Sequence, residues 1–423
     1  MTHAPRKRAI AGVGLVAAAG LTALSAAALA ADKEIKIGLL LPFTGQYAWV
    51  GANVQPVAAM VAEEVNESGG IGGAEIVLVQ GDTEGVVDAG TTAAQKLINV
   101  DGVVALVGPT SLSFSGSKQL IIDSHVPMVT PTAGTTALDR ACTDVCFRTV
   151  PSDSLGGRAI ARAATDAAFL GEGVAAWQRP VLMVAQSPAM VSFLAPMQRS
   201  FEDYGVTPAE VVEFTPGKAS YRSEVQQALA AEPDGIVLVA SPEDSVRVMT
   251  NAFQAGYQGG WFMTQDQTNA EFIELAGPEL VEGVFGLEEV ASADSADRNR
   301  AFEEAYKAYS GEEVKIFGTN TYDSMTVIAL AALRAQRDGG AVTRESLAAS
   351  IRAVSSPGAD KVAVTSYAEG KAALEAGKEV DYQGLVGPID FDDYGNIAAP
   401  FGIRKIEDGK WTTVAILPAE ALN

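Results

Sequence analysis

Two runs of hydroxyl side chains and one aromatic loop are the residues best suited to chemistry in this chain. The first run is Thr110-Ser111-Leu112-Ser113, with Ser115 close behind. The second is Thr130-Pro131-Thr132-Ala133-Gly134-Thr135-Thr136. Tyr47 and Trp49 share the loop PFTGQYAW. Hydroxyls beside the free N–H groups of a helix N-terminus make a receptive place for a carboxylate. The same residue types also cap helices and shape turns. Asp266 follows the apolar run WFMTQ, where a carboxylate could meet an ammonium group or cap a helix.

Catalytic machinery is sparse by comparison. The chain has two histidines, His3 and His125, so a Ser–His or Cys–His relay rests on His125, which precedes Val126-Pro127 and reads as structural. GGIGG (69–73) lacks the lysine of a phosphate loop and reads as a helix stop and turn. Asp390, Asp392 and Asp393 in IDFDDYGN read as a solvated turn, with a glycosidase-like carboxylate pair left open. Cys142 and Cys146 are the only cysteines. In an exported protein they are expected to close a local disulfide; the rival, a metal site, would need carboxylate ligands from elsewhere. No cofactor and no metal is expected.

These candidates lie where an alternating pattern would place them. IKIGLLL (35–41), EIVLVQ (75–80), VVALVG (103–108) and PMVTP (127–131) read as buried strands. Amphipathic runs separate them, the first with Val54, Val57, Val61 and Val65 on one face. The two hydroxyl runs and the aromatic loop each follow one of these strands, at the ends where open α/β sheets bind ligands. A second unit of the same rhythm carries strands at 180–186, 211–215, 235–240 and 261–265. From about Arg298 the chain turns helical, over 298–309, 322–337 and 344–353, and it ends in the strands IRKIEDGKW and TVAIL. Helices with no sheet of their own are expected to return and cover the first unit. The chain would then cross between units more than twice, which makes a hinge. The fold class is α/β, with two Rossmann-like units built on parallel sheets.

Composition narrows the partners. The chain has 423 residues, a formal charge of −22 and 48% hydrophobic residues. An acidic balance excludes a nucleic-acid binder and argues against adhesion to anionic membranes. Residues 1–30 carry Arg6, Lys7 and Arg8, then an uncharged run closing on Ala28-Leu29-Ala30. That is the pattern of a cleaved secretory signal peptide, with no cysteine beside the cut for a lipid anchor. The expected product is an exported, unanchored protein.

Several segments in order carry a resemblance: IKIGLLLPFTGQYAWVG, EEVNESGGIGG, GDTEG, VVALVGPTS, VPMVTPTAGTT, CFRTVPSD and VGPIDFDDYGN…IRKIEDGKW. Together they resemble the branched-chain-amino-acid type of periplasmic solute-binding protein, the receptor of an ATP-driven (ABC) importer, over nearly all of the chain beyond residue 30. The resemblance implies two α/β lobes joined by a three-strand hinge, with crossings near Thr149–Pro151, Glu289–Ala291 and Gly384–Pro388. Lobe 1 would be 31–149 with 291–385, and lobe 2 would be 150–290 with 386–423. It implies no enzyme activity but capture of an amino acid or related small carboxylate, delivery to a membrane permease, a periplasmic location and a monomer. A ligand sensor of the same fold and an exported carboxylate hydrolase stand as alternatives. By the same resemblance, Ser111, Leu112, Ser113, Thr132, Ala133, Gly134 and Thr135 would hold the α-carboxylate, and Asp266 the α-ammonium. Trp49 or Val50 would line the side-chain pocket, with Tyr322 as a wall, and Tyr47 on the same loop as Trp49 is a further ligand-binding candidate. Met190 and Ser241 replace two tyrosines of relatives, which puts leucine-like specificity in doubt.

Overall fold

The computed structural model describes residues 1–2, 34–171 and 173–422; the expected signal peptide lies outside these apart from Met1 and Thr2. The first sheet grows from β1 (Glu34–Leu41), whose residues beyond Glu34 are almost all buried, as a central strand covered on both faces requires. Helix α1 (Ala48–Glu67) packs on it through Val50, Val54, Val57, Val61 and Val65. Gly69 and Gly70, at φ +101° and +68°, end that helix; the Gly70 N–H returns to the carbonyl of Val65. There follow β2 (Glu75–Asp82), α2 (Val87–Lys96), β3 (Ala105–Val107), α3 (Phe114–Asp123), β4 (Met128–Thr130) and β5 (Cys146–Arg148). All five strands run parallel in the order β2-β1-β3-β4-β5. Cys142 and Cys146 are joined in a disulfide that closes the loop into β5.

The second unit runs α4 (Asp153–Ala164), β6 (Pro180–Ala185), α5 (Leu194–Asp203), β7 (Glu210–Phe214), α6 (Arg222–Ala230), β8 (Gly235–Val239), α7 (Pro242–Gln254), β9 (Gly260–Met263), α8 (Ala270–Ala276), α9 (Pro278–Val281) and β10 (Phe285–Glu289). Helices α10 (Ala296–Ser310), α11 (Gly318–Gly339), α12 (Arg344–Val354) and α13 (Tyr367–Glu375) follow, with a small parallel pair, β11 (Lys361–Val364) and β12 (Glu379–Tyr382). Finally β13 (Phe401–Glu407) and β14 (Lys410–Leu417) join the second sheet, whose order is β14-β13-β10-β9-β8-β6-β7. Its strands are parallel except that β13 runs against both β10 and β14.

The late helices cover the first sheet, as the pattern anticipates. Phe302, Tyr306, Met325, Ile328, Leu347 and Ile351 share one core with Ile37, Leu39 and Val57. The second lobe has its own core of strands β6, β8 and β9 with Phe401 and Ile403. The chain passes between the sheets after β5, after β10 and before β13. The last two touch: the Ser292 N–H donates to Val386 O (3.2 Å) and the Val290 N–H to Pro400 O (3.4 Å). Asp323 on α11 ties the last return, accepting from Tyr382 Oη and from the N–H groups of Leu385 and Val386. The stretch 386–397 departs from the division that the resemblance implies. Ile389, Phe391 and Ile397 are buried in the first core, with Phe391 against Phe147 at 5.0 Å. Apolar burial therefore holds this segment on the first lobe until about residue 398.

Candidate functional site

The carboxyl ends of the two sheets face each other across a cleft of about 610 Å³, counted out to its mouth. The first lobe contributes Tyr47, Trp49 and Val50 after β1, Thr110, Ser111 and Leu112 after β3, and Thr132 and Gly134 after β4, together with Phe317 before α11. The second contributes Ala189, Met190 and Phe193 after β6, and Thr264, Gln265 and Asp266 after β9. Asp153 stands at the first passage between them. Trp49 and Phe317 stack with ring centroids 6.1 Å apart, making one apolar wall.

The first-lobe side is rich in hydrogen-bond donors. The N–H groups of Thr110, Ser111, Leu112, Ala133 and Gly134 donate to no other group among the described residues. Thr110 is 4% exposed, and its Oγ1 has no partner there either. Buried donors are ordinarily satisfied, so these groups are free to bond an acceptor. Ser111 Oγ accepts from the Thr135 N–H (3.1 Å), tying the two hydroxyl loops together.

The second lobe and the passages between the lobes supply carboxyl groups. Burial pushes the Asp266 carboxyl up to about 6. It does the same to Asp153, to about 7, against the hydroxyl of Ser192 and the charge of Arg148. Glu289, lining the wider groove that continues from the cleft, is raised to about 8 by burial and by the charges of Asp153 and Asp266, while Gln265 and Asn320 bond it. The Tyr47 phenol is pushed up to about 12 by burial and then by Asp266. Among the described residues, no lysine or arginine lines the cleft itself. Among the described residues, no group of three or more His, Cys, Asp and Glu is placed to hold a metal ion.

Of the residues singled out from sequence, the cleft brings together Tyr47, Trp49, Ser111, Leu112, Thr132, Gly134, Met190 and Asp266. It leaves out five. Ser113 is buried at the start of α3, and Ala133 belongs to the core behind the loop. Thr135 is buried, its Oγ1 accepting from the Ala137 N–H. Ser241 caps α7 by accepting from the Asp244 N–H (3.3 Å). Tyr322 packs into the first core against Phe302 at 5.0 Å; α11 begins at Gly318, so Phe317, at the helix entrance, reaches the cleft instead. Asp266 does not cap α8, because Asn269 does, accepting from the Phe272 N–H. His125 lies exposed in the turn into β4, outside the cleft lining.

Sequence reasoning missed Asp153, Phe193, Thr264, Gln265 and Phe317. Asp153 looks like an ordinary acid in a first helical turn, because Ser152 caps α4. The signal that could have found it is its place beside the first passage, where both lobes reach it.

A model of the periplasmic binding protein family matches residues 34–410. The chain belongs to that family. Among curated members, it is similar to the leucine-, isoleucine-, valine-, threonine- and alanine-binding protein of Pseudomonas aeruginosa, with 26% identity covering 74% of this chain and 82% of that one. Among solved structures it resembles a leucine-binding protein of Thermotoga maritima (TM-score 0.74, 22% identity, 91% of this chain and 99% of that one). It also resembles a solute-binding protein of an ABC transporter from R. palustris in complex with benzoate (TM-score 0.73, 20% identity, 91% and 97%). The two α/β lobes with largely parallel sheets are the fold of these periplasmic binding proteins. No helix among the described residues is long and apolar enough to cross a membrane.

Proposed function

We propose that this protein captures a free amino acid in the interlobe cleft and delivers it to the permease of an ABC importer. The observation that carries the reading is the polarity of the cleft, with donors without partners on the first-lobe loops, the Asp266 carboxyl on the second lobe and the Asp153 carboxyl at the passage between them. A zwitterion satisfies both at once. Its carboxylate would take the N–H groups of Thr110–Leu112 and Ala133–Gly134 and the Thr110 hydroxyl. Its ammonium would meet Asp266 and Asp153, and its side chain would lie among Trp49, Phe317, Met190 and Phe193. Contacts on both lobes favour the closed arrangement, which the permease would read. The basic, then apolar, N-terminal run ending Ala28-Leu29-Ala30 supports export to the periplasm, and the three passages between the lobes, two of them in contact, support a hinge.

The test is a thermal-shift and calorimetric panel of amino acids, aromatic and aliphatic carboxylates, and amines, run on protein refolded to remove carried ligand. A ligand at 100 times its Kd should stabilise the native state by about 2.7 kcal/mol. An amino acid that binds while its deaminated analogue does not supports the reading. Binding of aromatic carboxylates alone would keep the receptor role and remove the ammonium from it. A flat panel would overturn the proposal.

A further inference from the structure

Arg148, at the end of β5, lies outside the cleft lining, yet it reaches the loop that borders it. Its guanidinium is fully buried. Nη1 donates to the carbonyl oxygens of Gly134 (3.0 Å) and Thr135 (3.2 Å), and Nη2 pairs with Asp139 Oδ1 (2.5 Å). The far side of each of these two peptides is also committed. The Thr135 N–H goes to Ser111 Oγ and the Thr136 N–H to Ser192 Oγ (2.7 Å). A trans peptide carries its C=O and N–H on opposite sides, so a cation holding both carbonyls turns both N–H groups toward the Ser111 hydroxyl in the cleft lining and the Ser192 hydroxyl beside it. One of those hydroxyls belongs to each lobe.

The other end of the pair reaches the first passage between lobes. Asp139 accepts from Ser152 Oγ (2.6 Å) and Ser154 Oγ (2.7 Å), at the start of α4. Its own carbonyl accepts from Asn396 Nδ2 (3.0 Å), on the segment leading to the last passage, and the Arg148 N–H donates to Gly395 O (3.0 Å). A single ion pair thus gathers the ligand-lining loop, the passage at 149–153 and the returning segment 392–396.

We infer that Arg148 is a positioning residue of the ligand site. With Asp139 as its anchor, it aims the Thr135 and Thr136 amides at Ser111 and Ser192 and couples that loop to the passage about which the lobes move. The inference rests on the ligand-site reading only for its effect on affinity; the amide geometry can be read without any ligand.

The test is native-state hydrogen exchange by mass spectrometry on ligand-free wild-type, Arg148→Met, Arg148→Lys and Asp139→Asn proteins. The methionine variant removes both clamps without leaving a buried cation. Exchange in peptides covering 132–139 should rise roughly tenfold or more in Arg148→Met, while β6 in the second-lobe core and β1 in the first stay near wild type. Arg148→Lys, which keeps a cation but loses the fork that spans two carbonyls and a carboxylate, should fall between. Asp139→Asn should loosen the same loop and also 149–154. A purely structural role predicts that β1 exchange rises together with the loop, and that result, or an unchanged loop, overturns the inference. If Arg148→Met does not fold, the comparison of Arg148→Lys with Asp139→Asn decides it by the same criterion.

Discussion

The backbone N–H of Thr136, on the first lobe, donates to Ser192 Oγ, on the second, at 2.7 Å, and the Thr135 and Thr136 hydroxyls lie 3.4 and 3.3 Å from the same oxygen. The two lobes are therefore joined directly beside the cleft, at the loop that also carries Gly134. Ser192→Ala removes the acceptor without changing the fold of either lobe. The expected result is a more open ligand-free protein by small-angle scattering, and roughly fivefold weaker ligand binding by calorimetry, the value of one hydrogen bond near 1 kcal/mol.

Asp266→Asn keeps the shape of the cleft and removes a charge. If the ligand carries an ammonium group, its affinity should fall roughly 10- to 150-fold, the range for a hydrogen bond to a charged group. Melting of the ligand-free variant should not fall, since burial already disfavours the ionised carboxyl. An undiminished affinity in calorimetry would take the ammonium contact away from Asp266.

The Asp153 carboxyl gives a signed pH dependence. Folding raises its pKa from 3.8 to about 7, chiefly through burial. Between those values the native chain holds a proton that the unfolded chain releases, so its contribution to stability declines as pH rises through that window. Asp153→Asn should therefore gain stability over wild type progressively from pH 4 to pH 8, by denaturant titration of the ligand-free protein. Binding has the opposite sign. A cationic group needs Asp153 and Asp266 ionised, so affinity should drop as pH falls below about 7 and then 6. No change in Kd between pH 8 and pH 5 would separate the ligand from these carboxylates.

Gly134 is where loop and passage come closest. A Cβ there would lie 2.1 Å from Asp153 Oδ1 and 3.0 Å from its carboxyl carbon. Gly134→Ala should displace the loop or the carboxylate, destabilising by about 1–3 kcal/mol as overpacking does, and ligand binding should weaken by more than the loss in stability alone explains. Paired melting and titration curves check this.

Much of this architecture is legible in residue periodicity, and the exceptions have physical causes. Continuous apolar runs such as IKIGLLL announce buried parallel strands, and the 3.6-residue repeat of valines announces α1. The hydroxyl loops and Asp266 stand out because they follow such strands directly. Asp153 is hidden because an acid after a capping serine satisfies helix chemistry without any ligand. Phe317 is hidden because α11 starts with the polar stretch Gly318–Thr321, so the apolar pattern becomes readable only from Tyr322. The return at 386–397 is irregular chain anchored by scattered apolar residues, and periodicity cannot report it. β5 has three residues, too few for alternation to register, yet it carries the arginine on which the neighbouring loop depends.

The order in which strands join the two sheets has a bearing on biogenesis. Helices α10 to α13, which cover one face of the first sheet, emerge only after β6 to β10 have been made. The β13–β14 hairpin that flanks β10 comes later still. As the chain is synthesised from its N-terminus, then, the first lobe cannot bury its full apolar surface until Ile397 is available, nor the second until Leu417 is. An emerging chain of this topology stays incompletely folded over most of its length, the condition in which a polypeptide can be threaded through a narrow channel.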